Sequence, residues 1–257
     1  MAVSARDDDS TQRAPEPVAG GRHRKGGQKE SKESKGGALH FLRESAIIVV
    51  SALVLSALVR AFLIQAFYVP SASMEETLLP NDRILAAKIS TRISGVQRGE
   101  ILVFRDPGGW LPDPESSSPG VRSYLRAALT FIGLVPSDSG QDLVKRAIGI
   151  AGDRIACCDE QGRIVLNGVP LDESYVTGPT DQVRFDIVVP GDSMFMMGDN
   201  RGNSRDSRYH LDVNNGGVPQ DAAVGQTVLT IWPFDRFSVQ SIPEIFGNPA
   251  LAQGAPN

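Results

Sequence analysis

A long apolar stretch near the N-terminus precedes a body built from short apolar runs. The fifteen residues Ser45–Val59 carry no charge, and after Arg60 the apolar character continues to Val69. A membrane-spanning helix needs about 20 mostly apolar residues. Residues 45–66 meet that length if Arg60 lies near one interface. The segment is apolar on all faces, which disfavours a buried core helix. The pattern therefore predicts one transmembrane anchor over residues 45–66.

Beyond the anchor, short runs of β-branched and aromatic residues alternate with turn signals, which is typical of strands. These runs are Arg83–Ile89, Ile101–Arg105, Leu143–Gly149, Arg163–Leu166, Arg184–Val189, Ser193–Gly198 and Thr227–Trp232. Asn167-Gly168 between apolar residues is the best hairpin signal in the chain. Strands and helices do not alternate, which disfavours a doubly wound α/β fold. We predict a mostly β body over residues 67–241, a coiled or barrel-like sheet behind a single N-terminal transmembrane helix.

Three segments depart from this pattern. Residues 1–44 are polar and contain few large apolar side chains, so we expect a disordered tail. Residues 242–257 are expected to form a disordered C-terminal tail. Residues 106–142 interrupt the β body as an insertion, in which a short helix is expected to place Leu125, Leu129 and Ile132 on one face. Trp110 and this helix would either dip into a lipid leaflet or pack into a surface cluster of their own.

Composition excludes several classes of function. The 257 residues hold 26 Lys and Arg against 30 Asp and Glu, a net charge of −4, which argues against a nucleic-acid binder. Two cysteines cannot form a disulfide framework or a four-cysteine zinc site. Three histidines, two of them in the polar tail, nearly exclude a multi-histidine metal site. We therefore expect no metal and no cofactor.

Charge is distributed unevenly about the anchor. Residues 20–43 hold seven Lys and Arg against two acidic residues, whereas residues 45–257 hold 17 against 23. A basic flank before a membrane helix keeps the N-terminus in the cytoplasm. We therefore expect a single-pass protein of the plasma membrane with its body on the outer side. The alternative is a cleavable secretory signal ending near Val59-Arg60-Ala61, but the polar tail is long and apolar residues continue past that point.

Two serines, Ser71 and Ser73, follow the anchor, and a serine nucleophile needs a base. His210 is the only histidine of the body, and no Gly-x-Ser-x-Gly elbow is present. A lysine can act as the base if burial lowers its pKa. Lys145 follows two apolar residues within a strand, with Arg146 on the opposite face as the competitor for a solvent-facing position.

Four motifs occur in order behind the anchor: Pro70-Ser71-Ala72-Ser73-Met74, residues 98–104 (RGEILVF), residues 145–153 (KRAIGIAGD) and residues 198–208 (GDNRGNSRDSR). Together they resemble the bacterial type I signal peptidases, in particular the single-anchor enzymes of Gram-positive and actinobacterial species. The resemblance extends from about Phe62 to Trp232. It implies a membrane-anchored serine endopeptidase that cuts signal peptides from secretory preproteins after small residues. Its expected partners are preproteins and the lipid bilayer.

The resemblance also assigns roles to single residues. Ser73 matches the nucleophile and Lys145 its general base, while the Ser71 hydroxyl and the Ser73 backbone N–H would form the oxyanion hole. The remaining matches would support the site: Ser204 by a hydrogen bond that orients the lysine, Asp206 and Arg208 by an ion pair, Asp199 and Asn200 structurally, and Met74 beside the site.

Three other interpretations remain open from the sequence. The serine and lysine segments also resemble self-cleaving repressor proteins, which lack a membrane anchor. A maturation peptidase with few clients and a β domain that only binds a partner are the others. Cys157 and Cys158 are adjacent, and we expect free or singly oxidised thiols because neighbouring Cα atoms lie closer than a disulfide prefers, with a strained disulfide as the alternative.

Overall fold

The computed structural model describes residues 34–112, Tyr124 and residues 140–253. The polar tail before residue 34, the expected helix with Leu125, Leu129 and Ile132, and residues 254–257 lie outside the described residues. By internal contacts the chain divides into a unit of residues 1–46 and a unit of residues 47–257. The candidate catalytic residues all belong to the second unit.

The N-terminal helix α1 spans Ser34–Phe62, and its segment His40–Val59 is long and apolar enough to cross a membrane. The helix begins earlier than the predicted anchor, so residues 34–44 are helical rather than disordered. Lys, Leu, Arg and Glu in this stretch favour helix, and His40 contacts Glu44 one turn later at 3.3 Å. The predicted end at residue 66 is also wrong. The strand that starts at Ile64 replaces helix because it buries Phe67.

Twelve strands and two short helices make up the described body. The strands are β1 (Ile64–Tyr68), β2 (Arg83–Ala87), β3 (Ile101–Arg105), β4 (Asp142–Ile150), β5 (Arg154–Cys157), β6 (Ile164–Leu166), β7 (Val169–Pro170), β8 (Phe185–Val188), β9 (Ser193–Met197), β10 (Gly217–Pro219), β11 (Ala223–Trp232) and β12 (Ser238–Val239), and the helices are α2 (Lys88–Ser94) and α3 (Ala250–Gln253). Each of the seven predicted runs contains a strand. The mostly β prediction is therefore confirmed.

The strands form two antiparallel sheets. The larger runs in the order β1-β2-β11-β3-β4-β9-β10, with β12 added beside β11, and the smaller runs β7-β6-β5-β8. The largest apolar core joins the two sheets, because Ile148 of β4 and Phe195 of β9 cluster with Ile155, Ile164 and Leu166 of the small sheet. The predicted hairpin at Asn167-Gly168 is present between β6 and β7, with both turn residues at positive φ.

The C-terminal segment is ordered as far as residue 253, contrary to the predicted tail from residue 242. Phe246 is 8% exposed and Leu251 is 1% exposed, and both belong to the core between the sheets. Phe246 occupies the space beside Gly99, where a Cβ would lie 2.5 Å from its ring. Asn167 Nδ2 also donates to the carbonyl of Leu251 at 2.8 Å. Burial of these two apolar side chains offsets part of the cost of ordering the segment.

The expectation of free thiols at Cys157 and Cys158 is wrong, because the structure links the two side chains by a disulfide. Cys157 ends β5 and is largely buried, whereas Cys158 packs against the same core from its edge. This bridge lies in the small sheet and touches none of the candidate catalytic residues.

Candidate active site

The serine segment follows directly from the first strand. Ser71 has extended backbone, and a short 3-10 helix over Ala72–Met74 then carries Ser73. Met74 is 1% exposed and Leu78 is fully buried, and the Leu78 N–H donates to the Met74 carbonyl at 2.7 Å. These two apolar anchors hold the 3-10 turn against the sheet, so the polar Ser73 on this turn is 93% buried.

Lys145 lies in the middle of β4, opposite Leu102 of β3. Its side chain is 3% exposed, and its Nζ shares a hydrogen bond with Ser73 Oγ. Ser71 Oγ lies 3.2 Å from Ser73 Oγ on the other side. The structure therefore brings together the three residues that the sequence proposed for nucleophile, base and oxyanion donor, although 72 positions separate Ser73 from Lys145.

Burial controls the charge of this lysine. Desolvation lowers the pKa of Lys145 from 10.5 to about 8, and the nearby Arg208 cation acts in the same direction. The carboxylates of Asp206 and Asp199 oppose this change without cancelling it. A neutral fraction of roughly a tenth therefore exists at pH 7 and grows as the pH rises, and only the neutral amine can accept a proton from a serine hydroxyl.

Asn200 fixes the backbone that carries the serine. Its N–H donates to the Ser73 carbonyl at 3.1 Å, and its Nδ2 donates to the Ala72 carbonyl and to Glu75 Oε2, each at 3.1 Å. The neighbouring Asp199 accepts from Thr77 Oγ1 at 2.6 Å. Both residues thus connect the loop after β9 to the serine segment, which agrees with the structural role expected for them.

Arg146 does not face solvent, although strand alternation made it a candidate for a solvent-facing position. It is 2% exposed, and its guanidinium binds both carboxylate oxygens of Asp199, at 2.9 Å from Nε and 2.6 Å from Nη2. Nη1 donates to the Gly99 carbonyl at 2.8 Å, and the guanidinium lies 4.1 Å from the Tyr175 ring centroid. A buried bidentate pair of this kind satisfies its charges and fixes geometry.

A second buried pair supports the loop after β9. Arg208 donates to both carboxylate oxygens of Asp206, at 2.8 and 2.9 Å, and both side chains are fully buried. The same carboxylate accepts from the Gly198 N–H at 3.0 Å, while Arg208 Nη2 donates to the Arg201 carbonyl at 2.9 Å. The expected Asp206–Arg208 ion pair is thus present, and it ties the start of the loop to its end.

Ser204 lies close to the dyad but does not make the expected hydrogen bond. Its Oγ is buried and has no hydrogen-bond partner among the described residues, Lys145 included. Its hydroxyl packs against Gly198, where a Cβ would lie 2.3 Å from Ser204 Oγ and 2.4 Å from the Ser73 carbonyl oxygen. Only a residue without a side chain fits between the serine segment and Ser204.

The sequence did not indicate a third buried ion pair, Arg201 with Glu173. Arg201 is fully buried and donates to both oxygens of Glu173, at 2.8 and 2.6 Å, and its Nε donates to the Gly198 carbonyl at 3.0 Å. Arginines in a polar motif usually lie at the surface. The only local signal was the density of arginines in residues 198–208.

His210 takes no part in the described serine geometry. Its ring stacks on Trp110 with centroids 4.5 Å apart, and burial lowers its pKa. Ser73 is bonded instead to Lys145 and Ser71. This arrangement gives no support to a serine–histidine pair.

A cleft of about 270 Å³ opens beside the dyad, and its lining is mostly apolar. The side chains that line it from the sheet and the serine segment include Phe67, Val69, Met74, Val103 and Val144. A larger cavity of about 510 Å³ lies near the disulfide, but its lining is polar and includes neither Ser73 nor Lys145. The cleft beside the dyad is therefore where a polypeptide with small apolar side chains would bind.

Comparison with known proteins agrees with this geometry. The family model described as signal peptidase, peptidase S26, matches residues 42–232. The chain is 34% identical over 227 residues to a probable signal peptidase I of Mycobacterium leprae, covering 76% of this chain and 78% of that protein. It is also 34% identical over 223 residues to a signal peptidase I of Mycobacterium tuberculosis, covering 77% and 75%.

A crystal structure of a signal peptidase I from Enterococcus faecalis is 25% identical and covers 51% of this chain and 95% of that one, with a TM-score of 0.33. The chain belongs to the signal peptidase family, peptidase S26.

Proposed function

We propose that this chain removes signal peptides from secretory preproteins, with Ser73 as the nucleophile and Lys145 as the general base. The observation that carries the proposal is the buried hydrogen bond between Lys145 Nζ and Ser73 Oγ, at a lysine whose pKa burial lowers to about 8. Membership of a family of serine endopeptidases and the signal peptidases I among its relatives support it.

The reaction divides into two steps. Neutral Lys145 accepts the Ser73 proton while Ser73 Oγ attacks the scissile carbonyl carbon, and the resulting ammonium gives that proton to the leaving amine. This yields an acyl-enzyme and releases the mature protein. Lys145, neutral again, then takes a proton from water while the water oxygen attacks the carbonyl carbon of the ester. The resulting ammonium gives that proton to Ser73 Oγ as the ester bond breaks, which returns Ser73 and neutral Lys145 and frees the signal peptide.

The Ser71 hydroxyl and the Ser73 backbone N–H would bind the oxyanion in both steps. Ser71 Oγ lies 3.2 Å from Ser73 Oγ, close enough to reach an oxygen on the carbon that Ser73 attacks. Loss of one such donor costs roughly 10²–10³ in turnover. Ser71→Ala should therefore lower turnover by that factor, while leaving the reaction of Ser73 with acylating reagents detectable.

The remaining site residues act by position. Asn200 and Asp199 hold the serine segment, and the Asp206–Arg208 pair holds the loop that carries them. We propose that Ser204 supports the site by its contact with Gly198. It does not orient Lys145 by a hydrogen bond. Met74 is proposed as an apolar wall of the cleft.

The cleft suggests how the substrate lies. β1 is the terminal strand of the larger sheet in the described part of the chain, and an extended peptide is proposed to add beside its last residues and the serine segment. Alternate side chains of that peptide would enter the apolar cleft, whose volume of about 270 Å³ favours small residues at the cut.

The location of the enzyme is the second part of the proposal. We propose that α1 anchors the chain in the plasma membrane with the N-terminus in the cytoplasm, because seven Lys and Arg precede the apolar segment within residues 20–43. Protease added to intact spheroplasts should then digest the β body and spare the residues before Ser45. Digestion of the tail with protection of the body would refute the orientation.

The cleavage test uses the purified full chain in detergent with a panel of preproteins, followed by identification of the cut positions. Wild type should cut after small residues, and Ser73→Ala should not cut. Lys145→Arg should be inactive although it keeps the charge, because a guanidinium does not deprotonate. Ser238→Ala, on the exposed β12, is the matched control. A Lys145→Arg enzyme with a tenth of the wild-type rate would refute the role of Lys145.

A further inference from the structure

We propose that Leu111, at the start of the insertion, is a specificity-determining residue that narrows the cleft beside the Ser73–Lys145 dyad. The proposal rests on the proposed function and adds to it a wall contributed from outside the sheet. Leu111 lines the same cleft as Ser73 and Lys145, and it reaches the cleft from the loop over residues 106–112. This loop is called the 106–112 loop below.

The 106–112 loop starts from the two strands that hold the base. Arg105 and Asp142 are the last register pair of β3 and β4, and the Asp106 N–H continues the ladder by donating to the Gln141 carbonyl at 2.9 Å. The loop is thus fixed beside the start of the strand of Lys145, at a residue four positions before that lysine. Its position is therefore linked to the position of the dyad.

The Asp106 carboxylate sets the shape of the loop. Oδ1 accepts from the N–H groups of Gly108 at 2.9 Å and Trp110 at 3.2 Å, and Oδ2 accepts from the N–H of Leu111 at 2.9 Å. Gly108 and Gly109 have φ of 119° and 77°, which residues with a side chain rarely adopt. The turn is therefore specified by its own sequence and returns the chain towards the cleft at Leu111.

Trp110 fixes the other side of the loop. Its ring meets that of Phe104 edge to face at 5.9 Å and stacks on His210 at 4.5 Å. Phe104 is fully buried, so the indole is held by the core of the body. Trp110 thus packs against the body and not in a cluster formed by the insertion alone. With Trp110 held on the body, the adjacent Leu111 is left to face the cleft.

The physical consequence concerns the size of the accepted side chain. The sheet supplies the apolar floor of the cleft, and the isobutyl group of Leu111 takes up volume above it. Removing that group enlarges the cleft next to the dyad. One missing methylene in an apolar pocket changes discrimination by roughly 10- to 200-fold. With Ala at position 111, the cleft should lose contact with small substrate side chains and leave room for larger ones.

The experiment measures kcat/KM of the full chain in detergent on preproteins with Ala, Val or Leu at the residue before the cut, and separately two residues earlier. Leu111→Ala should raise the ratio of Val to Ala substrates about tenfold or more at one of these positions. Leu111→Phe should lower the same ratio. Asp106→Asn, which weakens the turn but keeps Leu111, should shift the ratio in the direction of Leu111→Ala. Ile93→Ala, a truncation at an exposed residue, should leave it unchanged.

Three outcomes distinguish a failure of the proposed function from a failure of this inference. If wild type cuts no preprotein, the proposed function is wrong. If wild type cuts but both Leu111 variants keep the wild-type ratios at both positions, Leu111 does not determine specificity and this inference is wrong. A variant that loses activity equally on all substrates has a structural defect only, and that result also overturns the proposal.

Discussion

Replacement of Lys145 by Met should abolish cleavage and at the same time stabilise the protein at neutral pH. The lysine is 3% exposed, so below its folded-state pKa the protein must bury an ammonium. Methionine keeps an unbranched side chain of similar reach and adds no charge. The exchange therefore removes the buried charge while preserving most of the packing, which a change to Ala would not do.

The magnitude follows from the pKa. Burial lowers it from 10.5 in a free lysine to about 8, and each pKa unit corresponds to about 1.4 kcal/mol, so the charge costs the folded state about 3 kcal/mol. Because the folded-state pKa is the lower one, this cost is fully present below pH 8. It disappears as the pH rises from about 8 to about 10.5. Lys145→Met also loses the hydrogen bond to Ser73, which reduces the gain in the free energy of unfolding by roughly 1 kcal/mol at every pH.

The assay is urea unfolding of the full chain in detergent, followed by the far-ultraviolet signal of the β body between pH 6.5 and 11. The free energy of unfolding of Lys145→Met minus that of wild type should be positive at pH 7 and fall by about 3 kcal/mol up to pH 11. Other groups titrate in both proteins and cancel in the difference. A pH-independent difference, or one that grows as pH rises, would refute the buried-charge reasoning. Turnover of wild type should rise through an apparent pKa of about 8.

Three further predictions concern the surroundings of the dyad. Gly198→Ala should reduce turnover by roughly 10²-fold because its Cβ would displace the Ser73 carbonyl. Gly191→Ala is the control, because a Cβ there would meet nothing within 4 Å. Equal activity of the two variants would contradict the predicted role of Gly198. His210→Ala should keep turnover within several-fold of wild type while lowering the midpoint of thermal unfolding, since the ring only stacks on Trp110. A loss of three decades in a folded variant would restore a serine–histidine mechanism. Deletion of residues 1–33 should leave turnover in detergent unchanged, and a collapse of turnover in a folded truncation would show a role for the tail.

The chemistry of the site was readable from the sequence because it depends on short contiguous motifs. The Ser71–Ser73 segment and Lys145 each stand in a motif with a recognisable order, and apolar neighbours already indicated that Lys145 would be buried. The hydrogen bonds of Asn200 to the serine segment were not readable, because they join residues more than 120 positions apart. The hydrogen bond expected between Ser204 and Lys145 is not made in the structure, where the Ser204 hydroxyl lies against Gly198.

The limits of the fold prediction have similar causes. Period-two alternation assigns Arg146 to one face of β4 but does not say that the loop after β9 covers that face and supplies Asp199. The tail expected from residue 242 is instead packed on the body, where Phe246 fills the space that Gly99 leaves open. Both errors concern tertiary partners, which a local pattern cannot identify.

The loop over residues 198–208 has a consequence for biogenesis. It supplies the Asn200 bonds to the serine segment, the Asp199 partner of Arg146 and the Asp206 bond to Gly198, yet it is synthesised long after Ser73 and well after Lys145. Contacts between such distant positions form late, because the intervening chain must first be closed into a loop. A nascent chain in which Ser73 and Lys145 have both been synthesised therefore still lacks the loop that aligns them. The Ser73–Lys145 dyad is therefore aligned only after the loop over residues 198–208 has been synthesised and has folded against the serine segment.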